Sequence, residues 1–244
     1  MEEIIILKAF EDNYIYLYRY DDAKVIAIDP GDGEVVVKAL NEKGLELSHI
    51  LITHSHFDHI GGVEMLKRKT GCVSLAMKDE QSLTIGSSKV ETIATPGHTK
   101  DSVCYYITPS NELTGILLTG DTLFTGGCGR PMSCKSSVLW NSLCKLAQLP
   151  GETLMYPGHN YTIENYEFAL SIIPSDQTIK NAFANAQKLE DQGKDIIPST
   201  LNFEKKTNIF LKSSDREVKK ALKMQDNTAG EVFAELRMRK NIFG

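Results

Sequence analysis

The stretch Thr53-His54-Ser55-His56-Phe57-Asp58-His59 sets four side chains able to ligate a metal within six positions, and Gly61-Gly62 follow it. Imidazole and carboxylate donors packed this densely do not serve an apolar core; they suit a divalent cation such as zinc, iron or manganese. His54 and His56 stand two apart on the extended stretch leaving Ile50-Leu51-Ile52, so their rings can point the same way. An ion that keeps a position open for chemistry rarely takes four protein ligands. The spacing therefore reads as a two-metal site, with His54 and His56 on one ion and Asp58 and His59 on its neighbour.

The chain has six histidines, and only His49, just before the strand, is left without a role. His98 and His159 each close a matching local pattern: a strand-like run ends in Pro96-Gly97-His98 and another in Pro157-Gly158-His159. A third run, from Gly115 to Thr119, ends in Gly120-Asp121. Four times a short apolar run thus ends in a turn and delivers a donor, which is how strand ends hold a rigid site.

These elements must be positioned by a mixed scaffold. Strands are expected at about 3–8, 14–20, 24–29, 49–53, 72–77, 89–95, 103–107, 114–120 and 153–156, with helices over 32–43, 58–69 and 137–147. Asp58 is expected to cap the second of these helices. From about residue 171 the strand signals stop. Ser175 is expected to cap a helix ending at Gly193, and Ser214-x-x-Glu217 and Thr228-x-x-Glu231 each have the form of a capping box. Periodicity alone leaves two packed sheets and a doubly wound sheet both open.

At 244 residues the chain can bury a large core. Its net charge of −5 splits into −8 before residue 171 and +3 after it. Two dications would offset about half of that acidity, so it belongs partly to the metal site and does not point to nucleic acid. The acidic start, Met1-Glu2-Glu3, with only a short apolar run behind it, fits neither a signal peptide nor a membrane span. Five cysteines without a Cys-x-x-Cys pair suit reduced thiols. A cytoplasmic protein is expected, and Cys128, close behind Asp121, is left out of the ligand set.

The donor pattern His-x-His-x-Asp-His, then His98, Asp121 and His159, resembles the metallo-β-lactamase superfamily. The resemblance implies an αββα metallo-β-lactamase sandwich over residues 1–170 with a smaller helical region over 171–244. It also implies one metal on His54, His56 and His98, a second on Asp58, His59 and His159, and Asp121 bridging, with Asp58 and Asp121 holding the pair for catalysis. Within the superfamily the chain is similar to glyoxalase II, the hydroxyacylglutathione hydrolases. The matching pieces are Phe10-x-Asp12-Asn13-Tyr14, Thr53 to Gly62, Thr95-Pro96-Gly97-His98-Thr99, Gly120-Asp121-Thr122-Leu123-Phe124, Gly127-Cys128-Gly129-Arg130, Gly158-His159-x-Tyr161-Thr162, Pro198-Ser199-Thr200-Leu201 and Leu236-Arg237-x-x-Lys240.

That resemblance implies a monomeric thioester hydrolase that cleaves S-2-hydroxyacylglutathiones such as S-D-lactoylglutathione by a dinuclear-metal-bound hydroxide, in methylglyoxal detoxification. Zinc is the first expectation for the metals, with iron or manganese as alternatives. Arg130, Tyr161, Arg237 and Lys240 would hold the glutathione part, a guanidinium or ammonium meeting its carboxylate and a phenol its peptide groups. Met132 stands where the family usually has an aromatic residue, Asn160 where Glu is common, Asp101 in place of Gly, and Asn208-Ile209-Phe210 in place of Asn-Pro-Phe. None of these removes a metal ligand. A sulfur dioxygenase, a lactonase or β-lactamase, and a non-catalytic thiol-binding protein are the other readings.

Overall fold

The computed structural model describes residues 2–75, 79–110 and 114–243. The chain forms two compact units, one of residues 1–94, 101–120 and 157–160, the other of residues 95–100, 121–156 and 161–244.

In chain order the first unit contains β1 (Glu3–Ala9), β2 (Asn13–Arg19), β3 (Lys24–Ile28), α1 (Gly33–Lys43), β4 (Glu46–Leu51), α2 (Phe57–Ile60), α3 (Val63–Thr70), β5 (Val73–Leu75), β6 (Ser82–Ile85), β7 (Ser88–Ala94), β8 (Val103–Thr108) and β9 (Ile116–Gly120). Strands β1 to β5 form one sheet in sequence order, antiparallel at first and parallel from β3 to β5; β6 to β9 run antiparallel in a second. Strand β2 shows why two sheets pack. Its odd positions Ile15 and Leu17 join the core with Val36 and Leu40 of α1 and Leu66 of α3. Its even positions are Tyr14, Tyr16 and Tyr18, equally buried, and the Tyr18 hydroxyl reaches Ser88 of β7 at 2.6 Å. A strand apolar on both faces needs a partner on each side, here helices and a sheet. The Tyr105 phenol of β8 also donates to Ile52 O at 2.8 Å, tying the second sheet to the end of β4.

The second unit contains β10 (Leu123–Phe124), β11 (Gly127–Cys128), α4 (Ser136–Leu146), β12 (Leu154–Pro157, its last residue in the first unit), α5 (Thr162–Ile172), α6 (Gln177–Asp191), β13 (Ser199–Thr200), α7 (Leu201–Thr207), α8 (Arg216–Leu222) and α9 (Ala229–Lys240). Its core is aromatic: Phe168 stacks on Phe210 (5.8 Å, 19°), Phe210 meets Phe233 edge-on (5.8 Å, 66°), and Trp140 lies 5.4 Å from Phe233. Each such pair adds about 0.5–1.5 kcal/mol beyond its area.

Several local expectations need correction. Asp58 does not cap a helix over 58–69: His56 stands at the N-cap of α2 without a side-chain bond, and the segment breaks at Gly61-Gly62. A side chain at Gly62 would meet Gly33 N at 2.3 Å, so the glycines admit the neighbouring backbone at the expense of helix continuity. Asp176, not Ser175, caps α6, accepting from Thr178 N and Ile179 N. Asp215, not Ser214, precedes α8 and makes no capping bond. Thr228 and Glu231 do form the capping box of α9. Helices α5 and α7 and strand β6 were not legible in advance. The strand expected over 72–77 is observed at 73–75, and its residues 76 and 77 lie outside the described residues.

Candidate metal centre

In the first unit, β3 and β4 run parallel and end side by side, so the loops after them meet. Asp29, just past β3 and in the left-handed region (φ 51), turns its carboxylate onto the second loop. Its Oδ1 accepts from Thr53 N at 2.7 Å, and its Oδ2 accepts from the Thr53 hydroxyl at 2.6 Å and faces His59 Nδ1 at 3.0 Å. The fit is close: a Cβ on Gly31 would stand 1.8 Å from Asp58 O.

These bonds fix the tautomers. With its proton given to Asp29, the Thr53 oxygen accepts from His54 Nδ1 at 3.1 Å, so His54 presents Nε2 as an acceptor, 3.1 Å from His56 Nδ1. His59 Nδ1 donates to Asp29, and His159 Nδ1 donates to Asp12 Oδ1 at 2.8 Å. Both therefore turn unprotonated Nε2 atoms inward, 3.3 Å apart, with Asp58 Oδ2 at 3.5 Å from His59 Nε2 and 3.2 Å from His159 Nε2, and with the Asn13 amide 3.0 Å from Asp58 Oδ2 and 3.5 Å from His159 Nε2. Three acceptors converging on one point make a place that a cation suits. Asp58, His59 and His159 thus fit a metal, each offering a ligand atom within 4.8 Å of the others. Burial opposes ionisation of Asp58, yet the Asn13 amide at 3.0 Å and then the His59 ring hold its carboxyl below the usual value.

The second unit repeats the device on a smaller scale. His98 Nδ1 donates to Arg130 O at 2.8 Å, which turns Nε2 toward Asp121 Oδ2 at 3.4 Å. Both side chains are buried, and a Cβ on Gly129 would sit 1.8 Å from Asp121 O. Burial pushes the Cys128 thiol up to about 11 against the opposing pull of Arg237, so it is a protonated thiol rather than a thiolate ligand.

The four residues singled out for substrate come together in this unit. A cavity of about 140 Å³ is lined by Phe124, Cys128, Arg130, Tyr161, Glu164, Asn165, Arg237 and Lys240. Tyr161 meets Phe124 edge-on at 5.2 Å. Arg237 is only 6% exposed; its Nη1 donates to Cys128 O at 2.8 Å, its Nε to Asn241 Oδ1 at 3.1 Å, and its guanidinium lies 5.1 Å over Phe210. Lys240 Nζ sits 5.3 Å over Phe243 and donates to Glu164 O at 3.3 Å. Burial lowers its pKa, Glu164 opposing and Arg237 adding to the effect. Met132 does not line this cavity; it is 62% exposed and its N–H donates to His98 O at 3.0 Å. A larger cavity of about 500 Å³ along Val37, Leu40, Leu45 and Leu47 offers one cation, Lys69, already 2.9 Å from Glu34.

Sequence reasoning missed Asp12, Asn13 and Asp29 as partners of the ligands. The first two lie in the Phe10-x-Asp12-Asn13-Tyr14 piece, and Asp29 lies in Asp29-Pro30-Gly31 at a strand end, so the signal was present but not read as a support for imidazoles.

Residues 10–85 and 77–159 match the metallo-β-lactamase superfamily, and residues 160–243 match the family described as the hydroxyacylglutathione hydrolase C-terminus. A hydroxyacylglutathione hydrolase of Marinomonas sp. is 38% identical over 97% of this chain and 98% of its own length. The chain belongs to the hydroxyacylglutathione hydrolase family. A second member, from Rhizobium johnstonii, is 36% identical over 94% of this chain and 97% of its own. The crystal structure of ETHE1 from Myxococcus xanthus superposes with a TM-score of 0.67 at 24% identity, over 99% of this chain and 91% of that one, which shows the shared fold. The metallo-β-lactamase fold with a helical C-terminal part, expected from the sequence, is thus the one observed. Membership in the hydroxyacylglutathione hydrolase family, together with the His and Asp clusters, marks the chain as a metal-dependent hydrolase. Among the described residues no helix is long and apolar enough to cross a membrane.

Proposed function

We propose that this protein hydrolyses S-2-hydroxyacylglutathiones, S-D-lactoylglutathione foremost, to glutathione and the 2-hydroxy acid. The observation that carries this reading is the convergence of acceptor atoms from Asp58, His59 and His159, each ring held by a carboxylate behind it, in a chain of this family. In this reading His54, His56 and His98 hold one divalent ion, Asp58, His59 and His159 the other, and Asp121 bridges them. Zinc is the first candidate, and iron or manganese could take the same donors. Such a pair, when bound, lowers the pKa of water from 15.7 toward about 7 and polarises a carbonyl.

The chain's own residues supply the rest. Asp12, Asp29 and the Arg130 carbonyl keep the protons of His159, His59 and His98 on Nδ1, so that these three rings present acceptors rather than donors at Nε2. Arg130 and Lys240 offer positive charge to the glycyl carboxylate of glutathione, and Tyr161 a phenol to its peptide groups. Arg237 shapes the same cavity while anchored to backbone carbonyls. A glutathione thiolate departs without a strong general acid, because a thiol ionises near pH 8.5. Residues 1–170 carry the metals and residues 171–244 contribute carrier recognition, in keeping with the change of family match at residue 160. A cytoplasmic monomer without nucleic-acid or membrane partners completes the proposal.

The test is to supply metal-analysed protein with S-D-lactoylglutathione and follow thioester loss together with thiol release. One thiol per thioester lost is the expected result. A fully metallated protein that leaves this thioester intact but turns over a lactone or a persulfide would replace the proposal with another chemistry of the same fold.

A further inference from the structure

Among the described residues, Glu204 is the one carboxylate that is fully buried and takes no part in the metal clusters. Its Oε2 accepts from Gly126 N at 2.9 Å and from Asn208 Nδ2 at 3.2 Å. The Asn208 amide also donates to Phe124 O at 3.1 Å and Gly127 O at 2.8 Å, while its Oδ1 accepts from Phe210 N at 3.1 Å. Glu204 and Asn208 thus hold both strands and the turn of the β10–β11 hairpin, and they orient the ring on which Arg237 lies. Phe124 and Cys128 of that hairpin line the cavity, and Cys128 O takes the Arg237 guanidinium. A hydrocarbon pair would fill this space with less desolvation; a buried acid and amide instead fix four backbone groups, Gly126 N, Phe124 O, Gly127 O and Phe210 N, to known positions.

We infer that Glu204, acting with Asn208, is the positioning residue of the carrier cavity, setting the β10–β11 hairpin so that glutathione finds Phe124, Tyr161 and Arg237 in register. The inference rests on the proposed glutathione-thioester reading. Glu204 touches neither substrate nor metal ligand; it works through the hairpin. Its surroundings make its ionisation readable: burial pushes the carboxyl up to about 7, while Ser199 of β13, the Gly126 amide and Asn208 favour the charge, and the Tyr166 phenol of α5, its own pKa raised by burial and then by Glu204, stays neutral beside it. The ionised form accepts more strongly from Gly126 and Asn208 than the protonated form does, which tightens these two bonds above neutrality even though burying the charge lowers the stability of the whole fold there.

The experiment is calorimetric binding of S-methylglutathione to the metal-loaded wild type and Glu204→Gln at about pH 6 and pH 8, the variant serving as the control for titration of the ligand's own amine. KM, kcat and metal content are measured on the same samples. Wild type should bind several-fold tighter at the higher pH. Glu204→Gln should bind about fivefold more weakly with that pH dependence lost, KM rising in step while kcat and metal content stay within about twofold. Asn208→Ala should weaken binding in the same direction. Wild-type affinity and pH dependence in Glu204→Gln would overturn the inference. If that variant does not fold, a wild-type affinity flat across pH 6 to 8 overturns it alone. No binding by the wild type would instead bring down the carrier reading, and the inference with it.

Discussion

The candidate metal cluster of the first unit and the Arg237 cavity of the second are built on opposite plans. In the cluster, Thr53, His54, His56, Asp58 and His59 come from one seven-residue stretch, and the His54, His59 and His159 rings are each backed by a hydrogen-bond acceptor. In the cavity, the cations come from positions more than 100 residues apart, and the most buried of them, Arg237, is occupied by the carbonyls of Cys128 and Gly129. The comparison teaches that a buried charge near a site can be either a ligand or a scaffold, and that its hydrogen-bond partners decide which. Asp58 converges with two imidazole acceptors, with the Asn13 amide beside them, and suits a cation; Arg237 faces acceptors and is itself the cation.

The comparison can be broken most directly at Asp29. Asp29→Asn must set an amide N–H against one of three donors, from Thr53 N, Thr53 Oγ1 and His59 Nδ1. Metal affinity should fall about 10–100-fold, as for other supports behind a ligand, measured by competition with a chelator; an unchanged affinity would make Asp29 a fold residue only. Arg237→Ala should act in two ways at once. It leaves two carbonyls unmet and should lower Tm by roughly 4–8 °C, for a loss of about 2 kcal/mol. KM should rise about tenfold with kcat little changed. A raised KM with an unchanged Tm would return Arg237 to the role of a plain ligand and erase the contrast between the regions.

Smaller effects sharpen it. The Glu204 carboxyl is raised from 4.5 to about 7 in the folded protein, so its favourable contribution is complete below about pH 4.5 and is lost as pH rises through 7. The Tm of the wild type should therefore fall relative to that of Glu204→Gln between about pH 5 and pH 8, by an amount equivalent to at most about 3 kcal/mol. A difference constant with pH would contradict the burial assigned to this group. The smallest effect is expected at Met132, exposed and outside the cavity: Met132→Tyr should change KM by less than about threefold.

The difference between the regions also explains what the sequence disclosed. Metal donors were legible because the chemistry confines them to a few residue types at strand ends, and because His54 to His59 are contiguous. Their carboxylate partners were not, since Asp12 and Asp29 look like any acid in a turn until β2, β3 and β4 align. Capping at Thr228 was read correctly, whereas Ser175 and Ser214 each lost the position to the adjacent aspartate; side chains one residue apart compete for the same free amides, and spacing alone does not settle the winner. Helix α5 escaped notice because polar Thr162 and Asn165 stand among its buried positions, which blurs the amphipathic stripe. Arg237 and Lys240, three apart, were rightly expected on one face, but the tie of Arg237 to Cys128 joins residues 109 positions apart.

The most direct test is a count of metal bound per chain in the wild type and in His159→Ala, by elemental analysis after equilibrium dialysis against limiting zinc. The account predicts two equivalents in the wild type and one retained in the variant, because His54, His56, His98 and Asp121 would still hold their ion. One equivalent in the wild type, unaltered by loss of His159, would contradict a two-metal centre.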